Sequence, residues 1–282
     1  MSAPPIELVV TDLDGTLWDA GERIHDRTLA ALRELQDRRV PLLVATGRRP
    51  RSAATALARS GLTPPAVLLD GAIGRDLPDG RIFHRRCFAP DVAAAALQAF
   101  AVERLSPCVY VERPDADVVV GPDPSTHPRH VEMIGEWLGH DDLAGVVTRD
   151  PVYAFGVVGR DRDVLQGVAE RIAASTTAHA LVTRDVFFGG ATLMVRPQGI
   201  NKWEGVLSFC ADRGLDSAHV LALGDGENDL ELLTGARVSC VVSDGCDAAL
   251  ALADHVIDPA HDGGWWRPSA PAGFPTSPYF TQ

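Results

Sequence analysis

The chain opens on a short apolar, β-branched run, Ile6 to Val10, which breaks into Thr11-Asp12-Leu13-Asp14-Gly15-Thr16. A run of that length closed by a polar, glycine-bearing loop predicts a buried strand and then a tight turn. Arg27 to Arg38 carries Leu29, Leu32 and Leu35 at helical spacing, and Val40 to Ala45 is a second buried strand ending in Thr46-Gly47-Arg48. Ser52 to Arg59 reads as a helix closed by Gly61, and Ala66 to Leu69 as a third strand. Strands alternating with helices predict a parallel sheet covered by helices, an α/β fold.

The rhythm changes at Asp79-Gly80, a hairpin turn signal. Beyond it the pattern predicts helices over Asp91 to Arg104, Val131 to Leu138 and Asp163 to Ala174. Strands are expected over Cys108 to Glu112, Asp117 to Val120, Val152 to Val158, Ala180 to Thr183 and Ala191 to Val195. Residues 121–128, rich in proline, read as a loose segment. Paired strands among helices suggest a separate α+β module. Parallel-sheet logic returns with a helix over Trp203 to Arg213, a strand over His219 to Leu223, and a helix from Asn228. A strand over Val238 to Val242, a helix over Ala248 to Ala253 and a strand over His255 to Ile257 complete it. The expected organisation is a discontinuous core, residues 1–80 and 190–282, with a module of residues 81–189 inserted into it. The tail from Pro259, with Trp265 and Trp266, is expected to be irregular, its tryptophans serving as packing.

Composition narrows the function. A formal net charge of −12 argues against a nucleic-acid partner, whose phosphates demand many cations. No apolar run approaches the roughly 18–20 residues that cross a bilayer, and the N-terminus lacks a basic leader. The expectation is a cytoplasmic protein with no membrane partner. Five scattered cysteines without a C-x-x-C pair predict reduced, structural thiols.

Chemistry gathers at strand ends, where open α/β sheets bind ligands. Asp12 and Asp14, spaced i and i+2 beside Gly15, can aim two acids at one pocket; their mutual repulsion calls for a cation between them, and magnesium favours such oxygens. The plainer reading is an acidic turn. Thr46 and Gly47 offer a hydroxyl and backbone N–H groups to phosphate oxygens, or merely cap a helix. Lys202 stands at the mouth of a helix and is the sole lysine of the chain, arginine supplying every other cation. A compact ammonium at that spot suits a phosphate or an attacking aspartate. Gly224-Asp225-Gly226-Glu227-Asn228-Asp229 closes another apolar strand. There Asp225 can complete a metal site, while Asn228 and Asp229 can orient Lys202 or bound water.

Asp12-x-Asp14-Gly15-Thr16, Thr46, Lys202 and Gly224-Asp225-x-x-Asn228-Asp229 together resemble the four motifs of the haloacid dehalogenase (HAD) superfamily of phosphatases. The insertion between Thr46 and Lys202 resembles the type IIB cap of Cof-type sugar-phosphate phosphatases. The resemblance implies a Rossmann-like core with an α+β cap, and a Mg2+-dependent hydrolase acting on a small phosphorylated metabolite. It implies that Asp12 is the nucleophile, forming an aspartyl-phosphate, and that Asp14 is the acid and later the base. Metal would be held by the Asp12 carboxylate, the Asp14 backbone carbonyl and Asp225. The phosphoryl oxygens would be held by Thr46, Gly47, Lys202 and Asn228, with Asp229 supporting the metal site.

Two departures from the family pattern stand out. Asp70-Gly71-Ala72 replaces the common Asn-Gly-Ala; an acid there can repel phosphate, bind a cationic or hydroxyl-bearing substrate, or face away. Ser243-Asp244-Gly245-Cys246 replaces a small-residue and Asn pattern. His127 and His130, split by Pro128, are expected to belong to a cap loop rather than a metal site, and His84-Arg85-Arg86 to be surface charge. A phosphosugar mutase-like phosphotransferase and a non-catalytic phosphometabolite-binding protein are the alternative functions.

Overall fold

The computed structural model describes residues 6–185 and 187–265; Trp266 and the rest of the tail lie outside them. The first stretch supplies β1 (Leu8–Thr11), α1 (Asp26–Asp37), β2 (Leu42–Ala45), α2 (Pro50–Arg59), β3 (Pro65–Leu68), β4 (Ile73–Asp76) and β5 (Ile82–Arg85). The middle stretch supplies α3 (Pro90–Val102), β6 (Cys108–Tyr110), β7 (Val118–Val120), α4 (Pro128–Ile134), β8 (Leu138–His140), α5 (Leu143–Arg149), β9 (Ala154–Arg160), α6 (Arg162–Ser175), β10 (His179–Arg184) and β11 (Ala191–Arg196). The last adds α7 (Lys202–Arg213), β12 (Val220–Gly224), α8 (Leu230–Gly235), β13 (Val238–Val242), α9 (Asp247–Leu250) and β14 (His255–Ile257). Two compact units result, residues 1–85 with 201–282, and residues 86–200.

The first unit is built on an eight-stranded sheet ordered β14-β13-β12-β1-β2-β3-β4-β5. From β14 to β3 the strands run parallel, and β4 and β5 then fold back antiparallel. All four residues of β1 are buried, as expected of a strand covered on both faces. On one face Leu8 and Val10 join Leu43, Ala45 and Val67 against Val206 and Phe209 of α7 and Leu232 and Leu233 of α8. Asn201 caps α7 by accepting from the Glu204 N–H at 2.9 Å, and Gly214, at φ 68°, ends it. Because β1 lies between β2 and β12, the loops after β1, β2, β3 and β12 open on the same edge of the sheet.

The second unit carries a six-stranded sheet ordered β10-β11-β9-β6-β7-β8, antiparallel except where β7 meets β8. Its core gathers Phe88, Phe100, Val109, Phe155, Leu165 and Leu193. Two helices here depart from the sequence expectation. Pro128 begins α4 instead of ending a loop: His127 caps it, its Nδ1 accepting from the Arg129 N–H at 3.2 Å. Proline at the first helical position lacks only an N–H that would go unused. Helix α5, unforeseen, starts where Asp142 accepts from the Ala144 and Gly145 N–H groups. Among the described residues no helix is long and apolar enough to cross a membrane. All five cysteines are free thiols, and burial pushes the Cys210 thiol up to about 11.

Candidate active site

Lys202 anchors the site. Its side chain is fully buried, and its Nζ donates to Asp12 Oδ1 at 2.8 Å and to Asp229 Oδ1 at 2.7 Å. Asp12 follows β1, held at the sheet edge by its N–H donating to the Leu223 carbonyl at 3.0 Å. Asp229 Oδ2 also accepts from the N–H groups of Asp225 and Gly226, at 3.1 and 3.0 Å. Asp229 thus fixes both the lysine and the loop that carries Asp225. Thr16 Oγ1 donates to Asp225 Oδ1 at 2.7 Å, tying the turn after β1 to the loop after β12. Gly15, at φ +82°, leaves no room for a side chain: a Cβ would lie 2.8 Å from Asp225 Oδ2. Beyond Asp225, the Gly245-Cys246 segment closes in, the Cys246 N–H donating to the Asp225 carbonyl at 2.8 Å.

Oxygens of Asp12, Asp225 and Asp229 lie within 4.8 Å of one another. Burial, against the pull of Lys202, holds the Asp12 carboxyl well above the usual range, with Asp229, Asp225 and Asp14 adding to the rise. Burial, then Asp229, pushes Asp225 up to about 7. Burial opposes the charge on Lys202, but Asp12 and Asp229 outweigh it and keep the ammonium protonated. Three carboxyl groups face one ammonium, so their full ionisation calls for further positive charge, and the donors are hard oxygens. That set fits an oxygen-seeking dication. Asp229, already accepting three hydrogen bonds, is least available to it; Asp12 and Asp225 have the unengaged oxygens.

The other predicted residues fall nearby with different partners. Asp14 turns its carboxylate to Arg48, Nε to Oδ2 at 2.7 Å and Nη2 to Oδ1 at 2.5 Å, and to Trp18 Nε1 at 2.9 Å. Thr46 is buried, and its Oγ1 accepts from the Arg48 N–H at 3.2 Å, which leaves its own O–H to donate. Asn228 Nδ2 donates to Asp70 Oδ1 at 2.9 Å. Asp70 does not face away: it is buried, in the left-handed region at φ 51°, and its Oδ1 would lie 3.1 Å from a Cβ at Gly47.

The family model of the haloacid dehalogenase-like hydrolases matches residues 9–267. The chain belongs to that family. The phosphoglycolate phosphatase of Methanopyrus kandleri is 26% identical over 258 residues, spanning 89% of this chain and 90% of that protein. The HMP-PP phosphatase of Cronobacter sakazakii is 25% identical, across 87% of each. In fold the chain is similar to a haloacid dehalogenase-like hydrolase of B. subtilis, with a TM-score of 0.78 at 16% identity over 92% of this chain and 97% of that one. It is likewise similar to the HAD subclass IIB sugar phosphatase BT4131, with a TM-score of 0.74 at 19% identity over 92% and 95%. A Cof-type HAD phosphatase, with the Rossmann-like core and inserted cap of subclass IIB, is what these likenesses define.

Within this HAD phosphatase the sequence reading passed over Trp18, Glu22 and Arg59. Glu22 joins the site through Arg48 Nη1 at 2.6 Å and Arg59 Nη1 at 2.9 Å. None sits in a motif, so no sequence signal marks them. His84, expected as surface charge, is buried, its Nδ1 2.7 Å from Ser208 Oγ. His127 packs tilted and His130 edgewise on Phe188.

Proposed function

We propose that this HAD hydrolase is a magnesium-dependent phosphatase of a small phosphorylated metabolite, in the manner of a sugar phosphate, working through an aspartyl-phosphate on Asp12. The observation that carries the proposal is the buried Asp12 carboxylate paired with Lys202 and clustered with Asp225 and Asp229. Burial alone would protonate Asp12 and silence it as a nucleophile. Lys202 opposes that, and Mg2+, held by Asp12, Asp225 and the Asp14 backbone carbonyl, would supply the remaining positive charge at the transferring phosphoryl group.

In the first half of the cycle Asp12 attacks phosphorus while Asp14 gives its proton to the departing ester oxygen. In the second, Asp14 takes a proton from water as the water displaces Asp12 and frees phosphate. The Thr46 hydroxyl, the Gly47 N–H, Asn228 and the Lys202 ammonium hold the phosphoryl oxygens. The phosphatase names of the relatives and the sugar phosphatase among the structural neighbours support the substrate class.

The test is release of inorganic phosphate from a panel of phosphorylated metabolites, with and without Mg2+, by the native chain and by Asp12→Asn. Metal-dependent release by the native chain and none by the variant is expected. Undiminished metal-dependent turnover by Asp12→Asn would overturn the mechanism.

A further inference from the structure

Asp14 is more than half exposed on its turn, where a lone carboxylate would sample several rotamers. Instead three donors converge on it. Oδ1 accepts from Trp18 Nε1 and Arg48 Nη2, and Oδ2 from Arg48 Nε. The Arg48 guanidinium lies 5.0 Å from the centroid of the Trp18 ring, so one indole touches both the acid and the cation paired with it. Trp18 is itself enclosed. It is fully buried, its backbone N–H donates to the Leu13 carbonyl at 3.2 Å, and its backbone carbonyl accepts from the Gly15 N–H at 3.1 Å.

A buried tryptophan needs some acceptor for its N–H, and a backbone carbonyl would do. Here the acceptor is the carboxylate two residues beyond the proposed nucleophile, and the ring face is turned to that carboxylate's own ion-pair partner. A carboxylate offers about four lone-pair sites, two on each oxygen. Two donors fill Oδ1, and one donor leaves Oδ2 with a site open. The indole N–H is neutral and a donor only, so it holds Oδ1 through both halves of the cycle.

We infer that Trp18 is a positioning residue for the phosphatase reaction, one that fixes Asp14 so that Oδ2 is the oxygen carrying the proton. The inference rests on the reading of Asp14 as the acid and base. The Oδ2–H bond breaks as the leaving ester oxygen takes the proton, the P–O bond to the leaving group breaks, and the bond from Asp12 oxygen to phosphorus forms. Water later returns a proton to Oδ2 as its oxygen displaces Asp12.

The test compares an alkyl phosphate, whose leaving oxygen needs a proton, with p-nitrophenyl phosphate, whose phenolate does not. The readout is the rate of enzyme phosphorylation in rapid mixing with Mg2+. Trp18→Phe removes the N–H but also opens space. The same assay is therefore run with a benzothienylalanine at position 18, which keeps the bicyclic shape and has sulfur in place of N–H. Both variants are expected to lose roughly tenfold or more on the alkyl ester, part of the ~10²–10⁴ that acid–base catalysis supplies, and far less on the aryl ester. Equal losses on both esters, or none with the sulfur isostere, would overturn the inference. Asp14→Asn separates the two readings. If it spares the aryl ester and the Trp18 variants show no such difference, only Trp18's part fails. If it penalises both esters alike, the reading of Asp14 fails and the inference goes with it.

Discussion

Lys202 sits fully buried between two carboxylates, and a charge in that position is held in place by what it neutralises. Removing one member of a buried ion pair strands the others, at a cost of about 3–5 kcal/mol. Lys202→Met, close in volume and uncharged, is expected to lose stability on that scale in urea denaturation of the metal-free chain. A loss under about 1 kcal/mol, the worth of an exposed pair, would mean that the lysine is not what holds Asp12 and Asp229 together. Asp70 gives a second expectation at this scale. Its carboxylate lies beside Gly47 and holds the Asn228 amide, so a negative charge borders the groups proposed to bind phosphate. Asp70→Asn removes that charge and keeps the shape. Inhibition by inorganic phosphate should tighten by roughly tenfold, about 1.4 kcal/mol. An unchanged inhibition constant would leave Asp70 as no more than a holder of Asn228.

Among the elements, α7 matters most, because its first residue is Lys202. Gly71, at φ +111°, passes so close to the residue capping α7 that a Cβ would lie 2.1 Å from the Asn201 carbonyl oxygen. Backbone stands on both sides, so no side chain can yield. Gly71→Ala should combine backbone strain of ~1–3 kcal/mol with crowding of ~1–3 kcal/mol. Gly61, at φ +70° with nothing within 4 Å of its added Cβ, should show the strain alone. Thermal melts of the two alanine variants check this; equal losses would dismiss the contact. Such contacts also mark where sequence reading stops. The strand ends carrying Asp12, Thr46 and Asp225 could be read because each closes a buried apolar run with a polar cluster, and that contrast is local. The start of α4 was misplaced, at Val131, because Pro128 breaks a helix in its interior but begins one at its first position. The Gly71–Asn201 approach, the Asp70–Asn228 bond and the seating of Arg48 on Asp14 and Trp18 depend on chain segments brought together by the sheet, and no spacing encodes them.

Taken whole, the molecule couples its stability to protons and metal through the same buried charges. Burial and Asp229 raise Asp225 from its ordinary 3.8 to about 7, and burial raises Asp12 well above the same starting point. In the unfolded chain both return to ordinary carboxylates. Between about pH 4 and pH 7 the folded, metal-free protein therefore holds protons that the unfolded chain has released. Stability then falls as pH rises through that window and levels off above the Asp225 value, as far as that group is concerned. Mg2+ competes with those protons for the same oxygens, and whatever binds only the folded state stabilises it by mass action. The rise in melting temperature produced by Mg2+ should thus be small near pH 5.5 and larger near pH 8. Titration calorimetry near pH 6, run in two buffers of different ionisation enthalpy, should detect protons released as the metal binds. Asp225→Asn supplies the contrast, since an amide has no proton to release: its metal-free stability should lose part of the pH slope and its response to Mg2+ should weaken. An equal Mg2+ shift at both pH values with no proton release would mean that these carboxylates are already ionised in the folded chain, and that the metal binds without displacing protons.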